Sequence, residues 1–185
     1  MEKYNLEFNL REITALVLLR GLPGIGKTTW LKNQGIEFLV LSPDTFRLMY
    51  SAPIFNKNDD GTSFLVINQD VGKYAWKETE RLTKFRLKNN QSTIIDACFM
   101  NNKTIDRFKE MAKRFNVKLF IVDFGNDKEL ARKRNENRKG SIFYVPESVI
   151  DRMYKSGLEQ DLIHKYNNDE YEMVVSSNLV RFIYS

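Results

Sequence analysis

The sequence predicts an α/β protein of three layers, in which a mainly parallel sheet is flanked by helices on both faces. Two observations lead to this prediction. Short apolar runs of strand length alternate with helix-like patterns along most of the chain, as repeated β-α-β units require. The first of these runs, residues 15–20, leads directly into a glycine-rich segment, GLPGIGKT, at residues 21–28. This combination favours a P-loop fold of the NTPase and kinase type.

The composition is that of a soluble single-domain protein. The chain has 185 residues, of which 42% are hydrophobic and 29% charged, and its formal net charge of +5 slightly favours a polyanionic partner. No stretch approaches the ~20 apolar residues of a membrane helix, so no membrane association is expected. The single cysteine, Cys98, excludes an internal disulfide, and the single histidine, His164, lacks a partner for a zinc site. We therefore expect a reducing, cytoplasmic location.

The pattern along the chain predicts the order of the elements. Residues 1–12 alternate apolar and polar side chains, so we expect an N-terminal arm, residues 1–13, ahead of a P-loop domain, residues 14–185. Residues 52–64 have the composition of a loop. Strands are predicted at residues 15–20, 38–42, 93–97 and 117–124, with a C-terminal strand pair at 171–176 and 179–184. Helices are predicted at residues 26–33, from Pro43 onward, and at 68–90, 103–115, 128–138 and 147–158.

The segment at residues 21–28 fits G-x-x-x-x-G-K-[ST] and lies between a predicted strand and a predicted helix, where that motif must lie to bind phosphate. Its glycines allow the backbone amides to approach a nucleoside triphosphate such as ATP. Lys27 is expected to neutralise the β- and γ-phosphates, and Thr28 to hold Mg²⁺ together with water. A glycine-rich turn that binds nothing is the alternative, which the flanking strand and helix disfavour. The expected nucleotide-binding residues are Gly24, Ile25, Gly26, Lys27, Thr28 and Thr29.

A carboxylate and an arginine follow the second predicted strand. Asp44 and Arg47 are three residues apart on a predicted helix and so share a face. Asp44 is suited to accept a hydroxyl proton and Arg47 to bind an acceptor phosphate with its planar fork. The alternative is an ordinary surface ion pair, which the spacing alone favours. Asp96 ends the third apolar run, where it would either organise Mg²⁺ through water, orient the acceptor, or cap the strand.

A basic segment late in the chain is the expected lid, at about residues 128–145. Arg134 and Arg138 are four residues apart and would share a face of the predicted helix. They are suited to close over the donor phosphates and stabilise the charge of the transition state, with a solvated charged face as the alternative.

The glycine-rich segment, the segment with Asp44 and Arg47, the apolar run that ends at Asp96 and the late basic segment together resemble the 5′-hydroxyl polynucleotide kinases of phage and bacterial nucleic-acid repair. The resemblance extends over roughly residues 16–158, although Ala97-Cys98 stands where the family often has threonine and asparagine. It implies that Asp44 is the general base, that Arg47 holds the phosphate 3′ of the acceptor hydroxyl, and that Asp96 belongs to the acceptor site. It also implies that Arg134 and Arg138 contact the donor phosphates. The segments are GLPGIGKTTW (21–30), SPDTFR (42–47), IID (94–96), KRNENR (133–138) and VPESVIDRMYKS (145–156).

The resemblance implies an ATP-dependent kinase with Mg²⁺ that phosphorylates the 5′-hydroxyl end of RNA or DNA in nucleic-acid end repair. In that activity Lys27, Asp44 and Arg138 would be catalytic. A separate ligase or phosphatase is an expected partner, and a homo-oligomer is compatible with the sequence. Two alternatives remain open at this point. One is a P-loop kinase of a nucleoside or metabolite, which needs an enclosed acceptor pocket. The other is a non-enzymatic nucleotide-dependent switch.

Overall fold

The computed structural model describes residues 6–57, 61–157 and 172–185. Its strands are β1 (Leu6–Asn9), β2 (Ala15–Arg20), β3 (Val40–Leu41), β4 (Ile54–Lys57), β5 (Ser63–Val66), β6 (Thr93–Asp96), β7 (Lys118–Asp123), β8 (Glu172–Ser176) and β9 (Val180–Ile183). Its helices are α1 (Lys27–Gln34), α2 (Pro43–Tyr50), α3 (Gly72–Lys88), α4 (Asn102–Phe115), α5 (Lys128–Glu136) and α6 (Glu147–Gly157). A short 3-10 turn, Glu37–Leu39, precedes β3.

The central sheet has five strands in the order β3-β6-β2-β7-β8, and every pair in it is parallel. Because parallel strands end at the same edge, the carboxyl ends of β2 and β6 lie side by side, with Leu19 in register with Asp96. The glycine-rich segment leaves β2 at this edge. The sheet therefore places the predicted phosphate loop beside the predicted strand-end carboxylate.

Apolar residues cover both faces of this sheet. All six residues of β2 are buried, and successive side chains point to opposite faces. Leu16 and Leu18 belong to a core with Phe108 of α4, whereas Val17 and Leu19 belong to a second core on the other side. Such a strand is buried on both faces, which explains its uninterrupted apolar sequence. The predicted three-layer α/β architecture is confirmed.

Two sequence predictions about β-strands are wrong. Residues 52–64 are not only loop, because β4 and β5 form an antiparallel hairpin with Ile54 opposite Val66. The apolar residues on both sides of the polar turn favour strands, and the turn composition concealed them. The C-terminal strands exist but do not pair with each other. Instead β8 extends the central sheet beside β7, and β9 pairs with β1.

The N-terminal segment packs on the domain through β1. This strand runs parallel to β9, and Phe8 contacts Phe120 and Phe182 with ring centroids 4.6 and 5.9 Å apart. The division at residue 13 remains a prediction. Residues 1–5, 58–60, His164, and the predicted ends at Leu158 and Tyr171 lie outside the described residues. No helix in the described ranges has the length and apolar character to cross a membrane.

Candidate active site

The glycine-rich segment between β2 and α1 adopts a conformation that only glycine tolerates well. Gly24 has φ +84° and Gly26 has φ +119°, both in the left-handed region. A Cβ added to Gly24 would lie 2.7 Å from the carbonyl oxygen of Ala131, so the loop packs directly on the backbone of α5. The loop opens onto the N-terminus of α1, which begins at Lys27. A helix N-terminus behind a glycine-rich turn suits the binding of phosphate.

Lys27 reaches back into this loop. Its side chain is only 8% exposed, and Nζ donates hydrogen bonds to the carbonyl oxygens of Gly21 and Leu22 at 2.9 and 3.0 Å. The Sγ atom of Cys98 lies 3.8 Å from the same nitrogen. Lys27 therefore brings a positive charge into the buried wall of the predicted phosphate site, where screening by solvent is weak.

The other expected nucleotide-binding residues lie close by. Thr28 and Thr29 form the first turn of α1 with Lys27. The Ile25 amide donates to the Leu22 carbonyl oxygen at 3.3 Å, and the Ile25 carbonyl faces the lid.

Thr28 and Asp96 meet between α1 and the end of β6. The Thr28 hydroxyl donates to Oδ2 of Asp96 at 3.0 Å. Burial raises the pKa of Asp96, whereas the Lys27 ammonium and the Thr28 hydrogen bond act in the opposite direction. Within the described residues, no group of three or more His, Cys, Asp or Glu side chains forms a metal site. A hydroxyl and one carboxylate fit Mg²⁺, because this ion usually keeps several of its waters.

Cys98, noted in the sequence only as a departure from the family pattern after Asp96, is a neighbour of the site. It follows Asp96 by two residues and is half-buried beside Lys27. Burial raises the pKa of its thiol, which the nearby Lys27 charge opposes and the charges of Asp44 and Asp96 reinforce. The thiol therefore stays protonated at neutral pH, which makes it a packing group rather than a nucleophile.

Asp44 and Arg47 form an ion pair on α2, with 2.5 Å between Oδ1 and Nη1. Ser42 takes the N-cap position and Pro43 the first turn, although the Ser42 side chain makes no capping hydrogen bond. The pair is asymmetric, since the Asp44 side chain is 54% exposed and that of Arg47 only 14%. The guanidinium of Arg47 rests on Gly72, where an added Cβ would lie 3.4 Å from Nη2. Sequence reasoning missed Gly72, because only packing brings it to Arg47.

The ion pair differs from an ordinary surface pair in two respects. Nε of Arg47 is buried and has no hydrogen-bond partner among the described residues, an arrangement that an exposed ion pair does not have. The negative charge of Asp44 also acts on Asp96 and on Cys98. This agrees with the sheet, because Leu41 of β3 is in register with Ile95 of β6 and α2 therefore starts at the edge where Asp96 lies. The fold therefore brings the Asp44–Arg47 pair and Asp96 to one region, although Asp96 lies far from the pair in sequence.

The lid arginines reach the site by different routes. Nη1 of Arg134 donates to the Ile25 carbonyl oxygen at 2.5 Å and would lie 3.0 Å from a Cβ at Gly26. Arg138 does not share a helical face with it, because α5 ends at Glu136 and Arg138 lies in the following turn. The positive charge of Arg138 nevertheless acts on Asp96. The expected shared helix is wrong, and the contact of both arginines with the donor phosphates stays a prediction.

The segment that follows α5 is held in place by hydrogen bonds and an aromatic contact. Asn135 is fully buried and exchanges two hydrogen bonds with the backbone of Val145, at 2.7 and 3.1 Å. Tyr144 contacts Phe64 of β5 edge to face, with ring centroids 6.0 Å apart. These contacts hold the lid segment between α5 and the β4-β5 hairpin.

A parallel sheet with this loop, lysine and strand-end carboxylate defines a P-loop kinase fold. A family model described as "AAA domain" matches residues 16–157, which is more than half of the chain. The chain belongs to this family of nucleotide-binding P-loop domains. The match runs from the second residue of β2 to the last residue of α6.

Solved structures with the same fold differ in what they do. A chain in the Pnkp1/Rnl/Hen1 RNA repair complex aligns with a TM-score of 0.64 and 18% identity, over 86% of this chain and 47% of that one. The protein thus spans about half the length of that relative. Kti12 from Chaetomium thermophilum, solved with ADP-AlF3, aligns with a TM-score of 0.58 and 16% identity, over 91% and 88% of the two chains. A gluconokinase from Sinorhizobium meliloti gives 0.50 and 13%, over 89% and 83%.

Proposed function

We propose that this protein is an ATP-dependent kinase that phosphorylates the 5′-hydroxyl end of RNA or DNA. The observation that carries the proposal is the position of the Asp44–Arg47 pair. It lies at the sheet edge where β6 ends in Asp96, because Leu41 of β3 is in register with Ile95 of β6. It combines an exposed carboxylate with a mostly buried guanidinium. A base next to an anion-binding fork suits an acceptor hydroxyl that has a phosphate nearby.

The donor half binds and holds the triphosphate. The backbone of Gly24, Ile25 and Gly26 and the first turn of α1, with Thr29, supply amides. Lys27 supplies a buried positive charge, and Arg134 and Arg138 approach from the lid side. Their charges stabilise the negative charge that spreads over the γ-phosphoryl oxygens during transfer.

Thr28 and Asp96 are the residues that would hold Mg²⁺, with water completing the coordination. A bound Mg²⁺ supplies neutralisation of the β- and γ-phosphates. Asp96 also lies close enough to Asp44 to help orient the acceptor, as the family resemblance implies.

The acceptor half moves one proton. Asp44 accepts the proton of the 5′-hydroxyl, and the freed oxygen forms a bond to the γ-phosphorus. The bond between that phosphorus and the β–γ bridging oxygen breaks, and ADP leaves with the electron pair. Arg47 binds the phosphate on the 3′ side of the acceptor nucleoside and so fixes the hydroxyl in line.

A small-molecule kinase is the second candidate, and the similarity in fold to a gluconokinase supports it. The similarity to a chain of an RNA repair complex supports the polynucleotide candidate. The exposed Asp44 argues for an open acceptor site, which a polymer can enter from solvent. A kinase of a small metabolite is expected to enclose its acceptor instead.

In the experiment, the protein is incubated with γ-labelled ATP and each of five acceptors. These are a 5′-hydroxyl oligonucleotide as RNA and as DNA, the same oligonucleotide with a 5′-phosphate, a free nucleoside, and gluconate. The expected result is strong labelling of the 5′-hydroxyl oligonucleotides, much weaker labelling of the free nucleoside, and no labelling of the 5′-phosphorylated oligonucleotide or of gluconate. Label on the nucleoside or on gluconate, with none on the oligonucleotides, would replace the proposal by the small-molecule alternative. ADP release without labelled acceptor would favour the nucleotide-dependent switch.

A further inference from the structure

An exposed pair of tyrosines lies beside the acceptor residues. Tyr50 at the end of α2 and Tyr74 in the first turn of α3 have ring centroids 5.8 Å apart with 37° between the ring planes. They are 50% and 56% exposed, so each ring presents much of its surface to solvent. Exposed aromatic side chains that are not needed for the core are a common feature of binding surfaces.

The position of the pair connects it with Arg47. Tyr50 follows Arg47 by three residues and shares its face of α2, at a rise of about 4.5 Å along the helix. Both residues pack on the start of α3, Arg47 on Gly72 and Tyr50 on Tyr74. Stacked nucleotides rise by about 3.4 Å per residue of a strand. The tyrosines are therefore within one or two nucleotides of a phosphate held by Arg47.

The charge around the pair suits a nucleic acid. Helix α3 has six basic residues against two acidic ones, and Lys73 and Lys77 are exposed on either side of Tyr74. Arg81 is paired with Glu78 and lies close enough to Tyr50 to interact with it. Aromatic rings among basic side chains bind single strands by stacking on bases and by attraction to phosphates.

We infer that Tyr50 and Tyr74 form a stacking platform for the bases that follow the 5′-terminal nucleotide of a single-stranded acceptor. The inference rests on the proposed function and makes it more specific. The protein binds an acceptor strand over several nucleotides, and the platform adds affinity that a mononucleotide cannot gain. A surface for another protein is the competing use of these rings, which the lysines and the neighbouring Arg47 make less favourable.

The test measures kcat/KM for a nucleoside 3′-monophosphate and for single-stranded 5′-hydroxyl acceptors of two, four and eight nucleotides. The wild-type value is expected to rise about 10-fold or more between the mononucleotide and the eight-nucleotide acceptor. Tyr50→Leu and Tyr74→Leu should each lower the value for the longer acceptors by about 10-fold, within the range for loss of one base–aromatic stack, and leave the mononucleotide unchanged. Tyr50→Phe and Tyr74→Phe should keep the wild-type pattern, because stacking needs the ring and not the hydroxyl.

Phe85→Leu is the matched control, since Phe85 is 60% exposed on the same helix but eleven residues beyond Tyr74. It should behave as the wild type with every acceptor. Unchanged kinetics of the leucine variants with the longer acceptors would overturn the inference and leave the rings to a protein partner. An equal loss with the mononucleotide would assign the tyrosines to the positioning of Arg47 instead. If the wild type uses acceptors of all lengths equally well, the stacking platform is refuted but the proposed kinase function is not. If the wild type phosphorylates no nucleotide acceptor, the proposed function is refuted as well.

Discussion

The donor half and the acceptor half of the candidate site differ in which parts of the chain form them and in how exposed those parts are. In the donor half, Gly24 packs on the backbone of Ala131 and Lys27 is 8% exposed, so backbone and buried charge define the geometry. In the acceptor half, Asp44 and Arg47 are side chains on a helix surface, and the Asp44 side chain is 54% exposed. Under the proposed function, this difference predicts that triphosphate binding depends mainly on backbone and buried charge. Acceptor choice is predicted to depend on how α2 packs against α3.

The largest effect is expected for Lys27→Met in the donor half. Methionine fills the buried volume of the lysine side chain but has no charge, so transfer should fall by about 10³-fold or more with every acceptor. Steady-state transfer and nucleotide binding are measured on the same preparation. Lys32→Met on the exposed side of α1 is the control. A folded Lys27→Met protein with near-normal turnover would refute the donor assignment.

The lid should show the next largest effect. Arg138→Ala should lower kcat by about 10³-fold, because an arginine that stabilises a transferring phosphoryl group contributes on that order. Arg138→Lys should restore little, since a point charge lacks the planar fork. Lys139→Ala serves as the control, because Lys139 is an exposed neighbour paired with Glu136. Full activity of Arg138→Lys would show that charge alone is sufficient there.

Asp44→Asn is the variant that separates the two halves. The amide keeps the shape of the carboxylate but cannot accept the hydroxyl proton, so kcat should fall by about 10²–10⁴-fold. Nucleotide affinity should stay at the wild-type value, because Asp44 belongs to the acceptor half. Glu110→Gln, at an exposed position of α4, is the control for loss of one negative charge. A parallel loss of nucleotide affinity would place Asp44 in the donor half instead.

The smallest expected effect is a change in the free energy of unfolding with pH, caused by Asp96, which lies between the donor half and the acceptor half. Because burial raises the pKa of Asp96, the native state holds its proton to higher pH than the unfolded state does. The free energy of unfolding therefore declines as pH rises from the ordinary value of 3.8 through the native pKa. Without nucleotide and Mg²⁺, Asp96→Asn should be more stable than the wild type at pH 7, because the amide buries no charge. Urea denaturation at pH 4 and pH 7 measures this; a variant less stable at pH 7 would contradict it.

The same contrast explains what the sequence could predict. The glycine-rich loop, its lysine and the order of strands and helices follow from local patterns, so the fold class was predictable. The β4-β5 hairpin was missed because its turn composition outweighed two short apolar runs, and the partners of β8 and β9 are far away in the chain.

The acceptor half of the site could be predicted only in part from the sequence, for a related reason. The spacing of Asp44 and Arg47 predicts an ion pair, but Arg47 also packs on Gly72, which is 25 positions further along the chain. The roles of Cys98 and the Tyr50–Tyr74 pair also arise from packing between distant segments. No periodic pattern marks such residues, because each contributes a single contact.

The proposed polynucleotide kinase activity is tested most directly through the role of Arg47 in binding the acceptor phosphate. The measurement compares kcat/KM for a nucleoside 3′-monophosphate with that for the free nucleoside, in the wild type and in Arg47→Ala. The wild type should prefer the phosphate-bearing acceptor by about 10- to 100-fold, as expected for a hydrogen-bonded charge pair, and Arg47→Ala should lose that preference while nucleotide affinity is kept. A wild type that prefers the free nucleoside, with Arg47→Ala unchanged, would contradict the account and favour a small-molecule kinase.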